Sequence, residues 1–191
     1  MRLVGGRLRG KVLAAPPGKA VRPTADRARE SLFNILENGR AARATGLLLP
    51  GSRVLDAFAG TGALGLEALS RGAEHVTFID NSRIARRVLE QNIAACKAGD
   101  SVDIIDSDAT RPPPAHAAVD LAMLDPPYGA ELLGAALDAM NSHGWFHDRT
   151  LIVVECSAKE PFIPPGFLET LDERRYGAAR FVLLRRLRLA D

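Results

Sequence analysis

The stretch Arg53-Val-Leu-Asp56-Ala-Phe58-Ala-Gly60-Thr-Gly62 decides the fold. A short apolar run ends in an acid, a glycine-rich turn follows, and a helical pattern opens over Leu64–Arg71. Strand, turn and helix in that order form the ligand-binding corner of an open α/β sheet. Gly60 and Gly62 allow a tight turn and a close backbone approach by a ligand. The turn is neither the dinucleotide fingerprint nor a P-loop, since Ala57-Phe58-Ala59 occupies the approach and no Gly-Lys-Ser/Thr follows. An acid just before the glycines repels a pyrophosphate and suits a cationic ammonium or sulfonium group.

The same rhythm continues on both sides. Strands are expected at His75–Ile79, Val102–Ile105, Val119–Leu124 and Leu151–Glu155. Between them Ser82 caps a helix running to about Ala98, with Ile84, Val88, Leu89 and Ile93 on one face, and another helix covers about 131–141. Such alternation implies βαβ units on a parallel sheet covered on both faces. The end departs from it: residues 167–173 and 180–187 read as two strands joined at Tyr176-Gly177, an antiparallel hairpin. Before the sheet, Thr24 is expected to cap a helix over about 25–38, stopped by Gly39. Residues 1–22, with early glycines and Pro16-Pro17-Gly18, read as a basic β-hairpin arm, leaving 23–191 as the main domain.

Asp80 closes the second strand, 18 residues after Gly62, where a carboxylate can accept from both hydroxyls of a ribose. Asp108, after the third strand, is placed to meet an adenine. A nucleoside with a cationic amino-acid tail satisfies all three acids, and S-adenosylmethionine is that molecule. Asp125-Pro126-Pro127-Tyr128 closes the fourth strand. Two prolines remove two amide donors, leaving a carboxylate, carbonyls and a stacking ring. Such a tip fits an aromatic exocyclic amine, whose two N–H groups the Asp125 side chain and Pro126 carbonyl can accept. The nitrogen lone pair is then free to face a methyl sulfonium, with alignment supplying much of the rate.

Composition narrows the classes. With 47% hydrophobic and 25% charged residues, a disordered chain, a coiled coil or a fibre is excluded. No aliphatic run approaches a membrane span, and the start lacks a secretory apolar region. Cys96 and Cys156, 60 residues apart, suggest neither a disulfide framework nor zinc, so a reducing cytoplasm is expected. His143 and His147 have no third ligand nearby, and no metal is expected. The net charge of +2 conceals segments of +6 (residues 1–30), −9 (the middle) and +5 (residues 174–191). A basic start interleaved with Gly and Pro points to a polyanion.

Taken together, Asp56…Gly60-Thr61-Gly62, Asp80, Asp108 and Asp125-Pro-Pro-Tyr128 resemble the class I S-adenosylmethionine-dependent amino-methyltransferases. More narrowly the chain resembles the RsmD family of bacterial 16S ribosomal RNA guanine-N2 methyltransferases. The resemblance also rests on Arg22-Pro-Thr24 with Arg27, Arg29-Glu-Ser-Leu-Phe-Asn34 and Gly65-Leu-Glu-Ala-Leu-Ser-Arg-Gly-Ala73. Thr61 stands where Ser is usual and keeps the hydroxyl. The resemblance implies a Rossmann-like α/β fold with a mostly parallel seven-stranded sheet and a C-terminal antiparallel hairpin. It implies cofactor contacts at Asp56, Phe58, Gly60, Gly62, Asp80, Asn81, Asp108 and Ala109, and base contacts at Asp125, Pro126 and Tyr128. RNA phosphates are expected at Arg7, Arg9, Lys11, Arg22, Thr24 and Arg27. The implied product is S-adenosylhomocysteine, the partner 16S ribosomal RNA in the small subunit or its precursor, and the state a monomer off the membrane. A DNA adenine-N6 or cytosine-N4 methyltransferase and a non-catalytic RNA-binding assembly factor are the alternatives.

Overall fold

The computed structural model describes residues 1–16, 23–127 and 130–187. Seven strands form one sheet: β1 (Arg53–Ala57), β2 (His75–Ile79), β3 (Val102–Ile105), β4 (Val119–Leu124), β5 (Phe146–Ser157), β6 (Leu168–Tyr176) and β7 (Ala179–Arg186). Five helices surround it: α1 (Pro23–Asn38), α2 (Arg40–Thr45), α3 (Ala63–Ser70), α4 (Arg83–Cys96) and α5 (Ala130–Ser142). The strand order is β3-β2-β1-β4-β5-β7-β6. β1 to β5 are parallel, and β7 runs antiparallel to both β5 and β6. This is the Rossmann-like α/β sheet with its terminal antiparallel pair.

The order reverses between β1 and β4. From β1 the chain moves outward to β2 and β3, then returns to place β4 and β5 on the other side of β1. Crossovers of one hand therefore put α3 and α4 on one face and α5 on the other. Alternation along each strand feeds both cores. Val54, Val76, Leu121, Met123, Leu151 and Val153 join α1, α3 and α4, through Phe33, Leu66 and Leu89. Leu55, Ile79, Ala122, Leu124, Ile152 and Val154 join α5, through Leu133, Leu137 and Met140. A loop, not a helix, connects β3 to β4; Trp145 covers it, donating from Nε1 to the Pro113 carbonyl at 2.9 Å.

Three local features differ from expectation. Helix α1 begins at Pro23, so Thr24 lies in its first turn rather than capping it; proline suits a first helical position, where its missing N–H is no loss. Gly39 stops α1 as expected, but a second helix starts at once and ends on left-handed Gly46. β5 begins at Phe146, five residues before the apolar run. The polar stretch His147-Asp-Arg-Thr150 fills a register shift between Val119 and Leu121. Buried Thr150 holds it, donating to the Val119 carbonyl at 2.6 Å and accepting from the His147 amide at 2.9 Å. Described residues 1–16 hold one antiparallel strand bridge, Arg2 with Val12, around a 3-10 turn at Gly6–Leu8, with the Leu3 and Leu13 amides donating to the Lys11 and Met1 carbonyls.

That N-terminal segment is fastened to α3 and α4. Leu3 and Leu13 enter the core. Glu67 of α3, fully buried, accepts from the Val4 amide at 2.8 Å and from Arg71 Nε at 2.9 Å, with Arg29 Nε 3.7 Å away. Ser70 accepts from the Leu8 amide and donates to the Gly5 carbonyl. Asn92 of α4 accepts from the Ala14 amide at 2.7 Å and donates to the carbonyls of Ala14 and Thr61. One buried carboxamide thus touches both the N-terminal segment and the glycine turn.

Candidate active site at the strand ends

The turn after β1 is shaped by two glycines with different duties. Gly62 has φ +75°, and a Cβ there would lie 2.2 Å from Leu89 Cδ1. Its lack of a side chain lets α3 pack on β2 and α4. Gly60 has φ +57°, and a Cβ there would meet nothing nearer than 3.9 Å, an atom of its own turn. That position is open, as a ligand approach requires. Phe58 also adopts positive φ, +59°, which is uncommon outside glycine and marks a constrained turn.

Two acids hold this turn. Asp56 is 1% exposed and accepts from the Gly65 amide at 2.8 Å, capping the first turn of α3 from the strand below. Burial, with smaller contributions from the charges of Asp125 and Asp80, raises its carboxyl well above the usual range. Asp80 accepts from the Gly60 amide through Oδ2 and from the Ser82 amide through Oδ1, both at 2.7 Å. Each oxygen keeps a further lone pair, so a vicinal diol over Gly60 could donate to both. Ser82 caps α4 as expected, accepting from the Ala85 amide.

The fourth strand delivers its tip beside this turn. Ala57 of β1 pairs with Leu124 of β4, and the Asp125 amide donates to the Ala57 carbonyl at 3.4 Å. The glycine turn and the Asp-Pro-Pro tip are therefore neighbours across the switch point, where open sheets bind ligands. Asp125 is exposed and Pro126 half-buried. Asp80 and Asp125 follow β2 and β4, and Asp56 and Glu155 lie within the last residues of β1 and β5, a row of four carboxyls on four adjacent strands. The ionised members of such a row attract a cation, and the row accepts hydrogen bonds from an amine.

Not every expected residue joins this group. Asp108 is exposed and turned to its own loop, accepting from the Thr110 amide at 2.9 Å and hydroxyl at 2.8 Å. Those bonds hold its carboxyl below the usual range. Asn81 is exposed and Ala109 buried. Arg7, Arg9, Lys11 and Arg27 are exposed, and none forms an ion pair among the described residues. The turn carrying Arg7 rests on Ser70, the last residue of α3, whereas Gly60 precedes the first. The eight residues of α3 separate them by about 12 Å. Arg22 and Tyr128 lie outside the described residues.

Among the described residues the basic C-terminal segment is largely neutralised. Arg174 pairs with Asp172, Arg175 with Glu173, Arg185 with Glu169 and Arg186 with Asp148. Arg180 lies 3.8 Å from Glu173 and bonds the Glu160 carbonyl. All of those acids precede residue 174, which is why the charge tally by segment missed them. Among the described residues no group of three or more His, Cys, Asp or Glu is placed to hold a metal. His143 bonds the Pro112 carbonyl, and His147 lies 3.4 Å from Asp120.

Glu155 and Asn92 were missed at the sequence level. Glu155 repeats the signal given by Asp56, Asp80 and Asp125, an acid ending an apolar run. Asn92 is the one polar residue on an α4 face otherwise made of Val88, Leu89, Ile93 and Cys96.

Comparison with known proteins settles the family. The family profile described as Conserved hypothetical protein 95 matches residues 1–185. Ribosomal RNA small subunit methyltransferase D of Escherichia coli (strain K12) is 35% identical over 173 residues, covering 87% of this chain and 81% of that one. This chain belongs to the RsmD family. The RsmD protein of Haemophilus influenzae (strain ATCC 51907 / DSM 11121 / KW20 / Rd) is 31% identical over 187 residues, covering 96% of this chain and 92% of that one. The solved structure of the Escherichia coli protein yhhF superposes with a TM-score of 0.80 at 30% identity, covering 99% of each chain. The RsmD likeness spans the N-terminal segment as well as the sheet.

Proposed function

We propose that the chain transfers a methyl group from S-adenosylmethionine to the exocyclic N2 of a guanine in 16S ribosomal RNA of the small subunit or its precursor. The observation that carries this reading is the adjacency of the glycine turn and Asp125, tied by the Asp125 amide to the Ala57 carbonyl. The methyl donor fits the residues present. Gly60 is open, Asp80 keeps lone pairs for a ribose diol, and the surrounding acids suit a cation. When bound, the donor supplies an activated methyl on a positively charged sulfur.

The chain's residues then have separable tasks. Asp56 and Asp80 hold the turn through Gly65 and Gly60. Asp80, with Phe58, Asn81 and the loop at Asp108–Ala109, borders the nucleoside. The Asp125 carboxylate and Pro126 carbonyl accept the two N–H groups of the guanine amine. This favours a more tetrahedral nitrogen whose lone pair points at the methyl, with acceptors where positive charge develops. Tyr128 stacks on the base. A guanine N2 is unreachable within a paired helix, so the base must enter unpaired or be extruded. Arg7, Arg9, Lys11, Arg22, Thr24 and Arg27 hold the backbone while it does so. The enzyme works as a cytoplasmic monomer in this reading; no described helix is long and apolar enough to cross a membrane.

Incubation with labelled S-adenosylmethionine and either undermethylated small subunits, naked ribosomal RNA or DNA, followed by nucleoside analysis, tests the reading. N2-methylguanine in small-subunit RNA is expected. Label confined to DNA adenine or cytosine, or no label despite donor binding, overturns it.

A further inference from the structure

Of the four carboxyls near the ends of β2, β1, β4 and β5, Glu155 alone has no task in the methyl transfer proposed. Its place is well defined. β4 and β5 run parallel with Leu124 beside Val154, so Asp125 and Glu155 form the next pair along. Neighbouring strands lie about 4.8 Å apart. Alternation puts Glu155 on the face of Leu151 and Val153, and Asp125 on the face of Leu121 and Met123, all four in one apolar cluster. Glu155 is half-buried.

The charges around it are few. From β4, Asp125 is the charged group whose field reaches it. From β7, Phe181 stands opposite. The next residue, Arg180, turns to Cys156 Sγ, the Glu160 carbonyl and Glu173. Helix α2, packed near β5, directs Arg40 to the Leu171 carbonyl and Arg43 to the Asn38 carbonyl. On the opposite face of the sheet, Asp138 of α5 is exposed. Burial first, and the Asp125 charge second, push the Glu155 carboxyl up to about 8. Near neutral pH it therefore keeps its proton.

A neutral carboxyl sets a carbonyl acceptor beside a hydroxyl donor; an ionised one offers acceptors only. Guanine presents N2 amine, N1–H and O6 in a row along one edge: donor, donor, acceptor. We propose that Glu155 selects the base, its carbonyl oxygen accepting from guanine N1–H and its hydroxyl donating to O6, while Asp125 beside it holds N2. This assignment rests on the guanine-N2 reading and names the residue that enforces it. Adenine offers the opposite order on the matching edge, an acceptor at N1 and a donor at N6, so it presents no aligned amine to Asp125.

The test uses full-length enzyme and small subunits reconstituted with either guanine or 2-aminopurine at the methylated position. 2-Aminopurine keeps the N2 amine and lacks both N1–H and O6. Wild type should prefer guanine by about 100-fold near pH 7, the worth of two hydrogen bonds. That preference should fall as pH passes about 8. Glu155→Gln keeps an acceptor and a donor side by side and cannot ionise, so it should keep the preference without the alkaline fall. Glu155→Ala should lose the preference at every pH while still binding the methyl donor by calorimetry. Preference retained in Glu155→Ala, or a wild-type alkaline fall in Glu155→Gln, overturns the assignment and leaves the methyltransferase reading intact. Failure of wild type to methylate any guanine N2 while binding the donor overturns both.

Discussion

Ionising Glu155 sets a second charge beside Asp125 in a half-buried place, so the charged form costs stability. The folded state holds the proton up to about 8, whereas the ordinary value is 4.5. Between those values the folded state binds more protons than the unfolded one, and this group's contribution falls as pH rises. Glu155→Gln should therefore raise the melting temperature at pH 8.5, and the gain should shrink towards pH 5, as read by thermal unfolding across a pH series. Equal gains at both ends would show that the carboxyl titrates normally. At the neighbouring residue, Asp125→Ala should cut methyl transfer at least 100-fold, in line with losing a placed acceptor. Donor affinity should change little, because the turn at Gly60 is held by Asp80 and Asp56; a parallel loss of donor binding would place Asp125 in the cofactor site instead. Asp56, Asp80 and Asp125 were legible because each ends an apolar run next to turn residues. What the sequence hid was orientation: Asp56 is spent on the Gly65 amide, and Asp108 on Thr110.

At the level of elements, the sheet was legible because parallel strands buried on both faces are short apolar runs. Strands β1, β2 and β4 follow that rule, β3 at the edge of the sheet is only half-buried, and the expected bounds of all four match. β5 breaks it, since His147-Asp-Arg-Thr150 pairs through a buried hydroxyl rather than by burying apolar side chains. Helix α2 was hidden because a six-residue helix has too few turns to display a face. The bond from Asn92 to Thr61 was equally hidden, because it joins elements far apart in the chain. Asn92→Ala should leave the Ala14 amide and the Ala14 and Thr61 carbonyls without their partner. A loss of about 2 kcal/mol in urea unfolding is expected, with faster proteolysis within the first 22 residues. Unchanged cleavage would mean that Leu3, Leu13 and Glu67 suffice to hold that segment. Gly62→Ala should cost about 2 kcal/mol or more, from the left-handed backbone and the clash with Leu89.

At the scale of the whole molecule an acidic row lies in the crevice, and exposed cations lie on the N-terminal segment and at Arg27 of α1. The described C-terminal arginines, equally prominent in the sequence, are answered by Glu169, Asp172, Glu173 and Asp148. Replacing Arg7, Arg9 and Lys11 together with Ala should flatten the salt dependence of RNA binding. The slope of log affinity against log salt should drop by about 0.7 for each phosphate left unneutralised on single-stranded RNA. Replacing Arg174 and Arg185 should leave that slope within error, and a comparable flattening there would move the interface to the hairpin. Because the length of α3 lies between Ser70, on which the Arg7 turn rests, and the turn at Gly60, the proposed phosphate and methyl-donor sites occupy separate ground. Heparin or another polyanion should therefore strip the nucleic acid away while the small ligand stays seated, and an inhibitor shaped for the crevice should profit from positive charge where most nucleotide mimics carry negative.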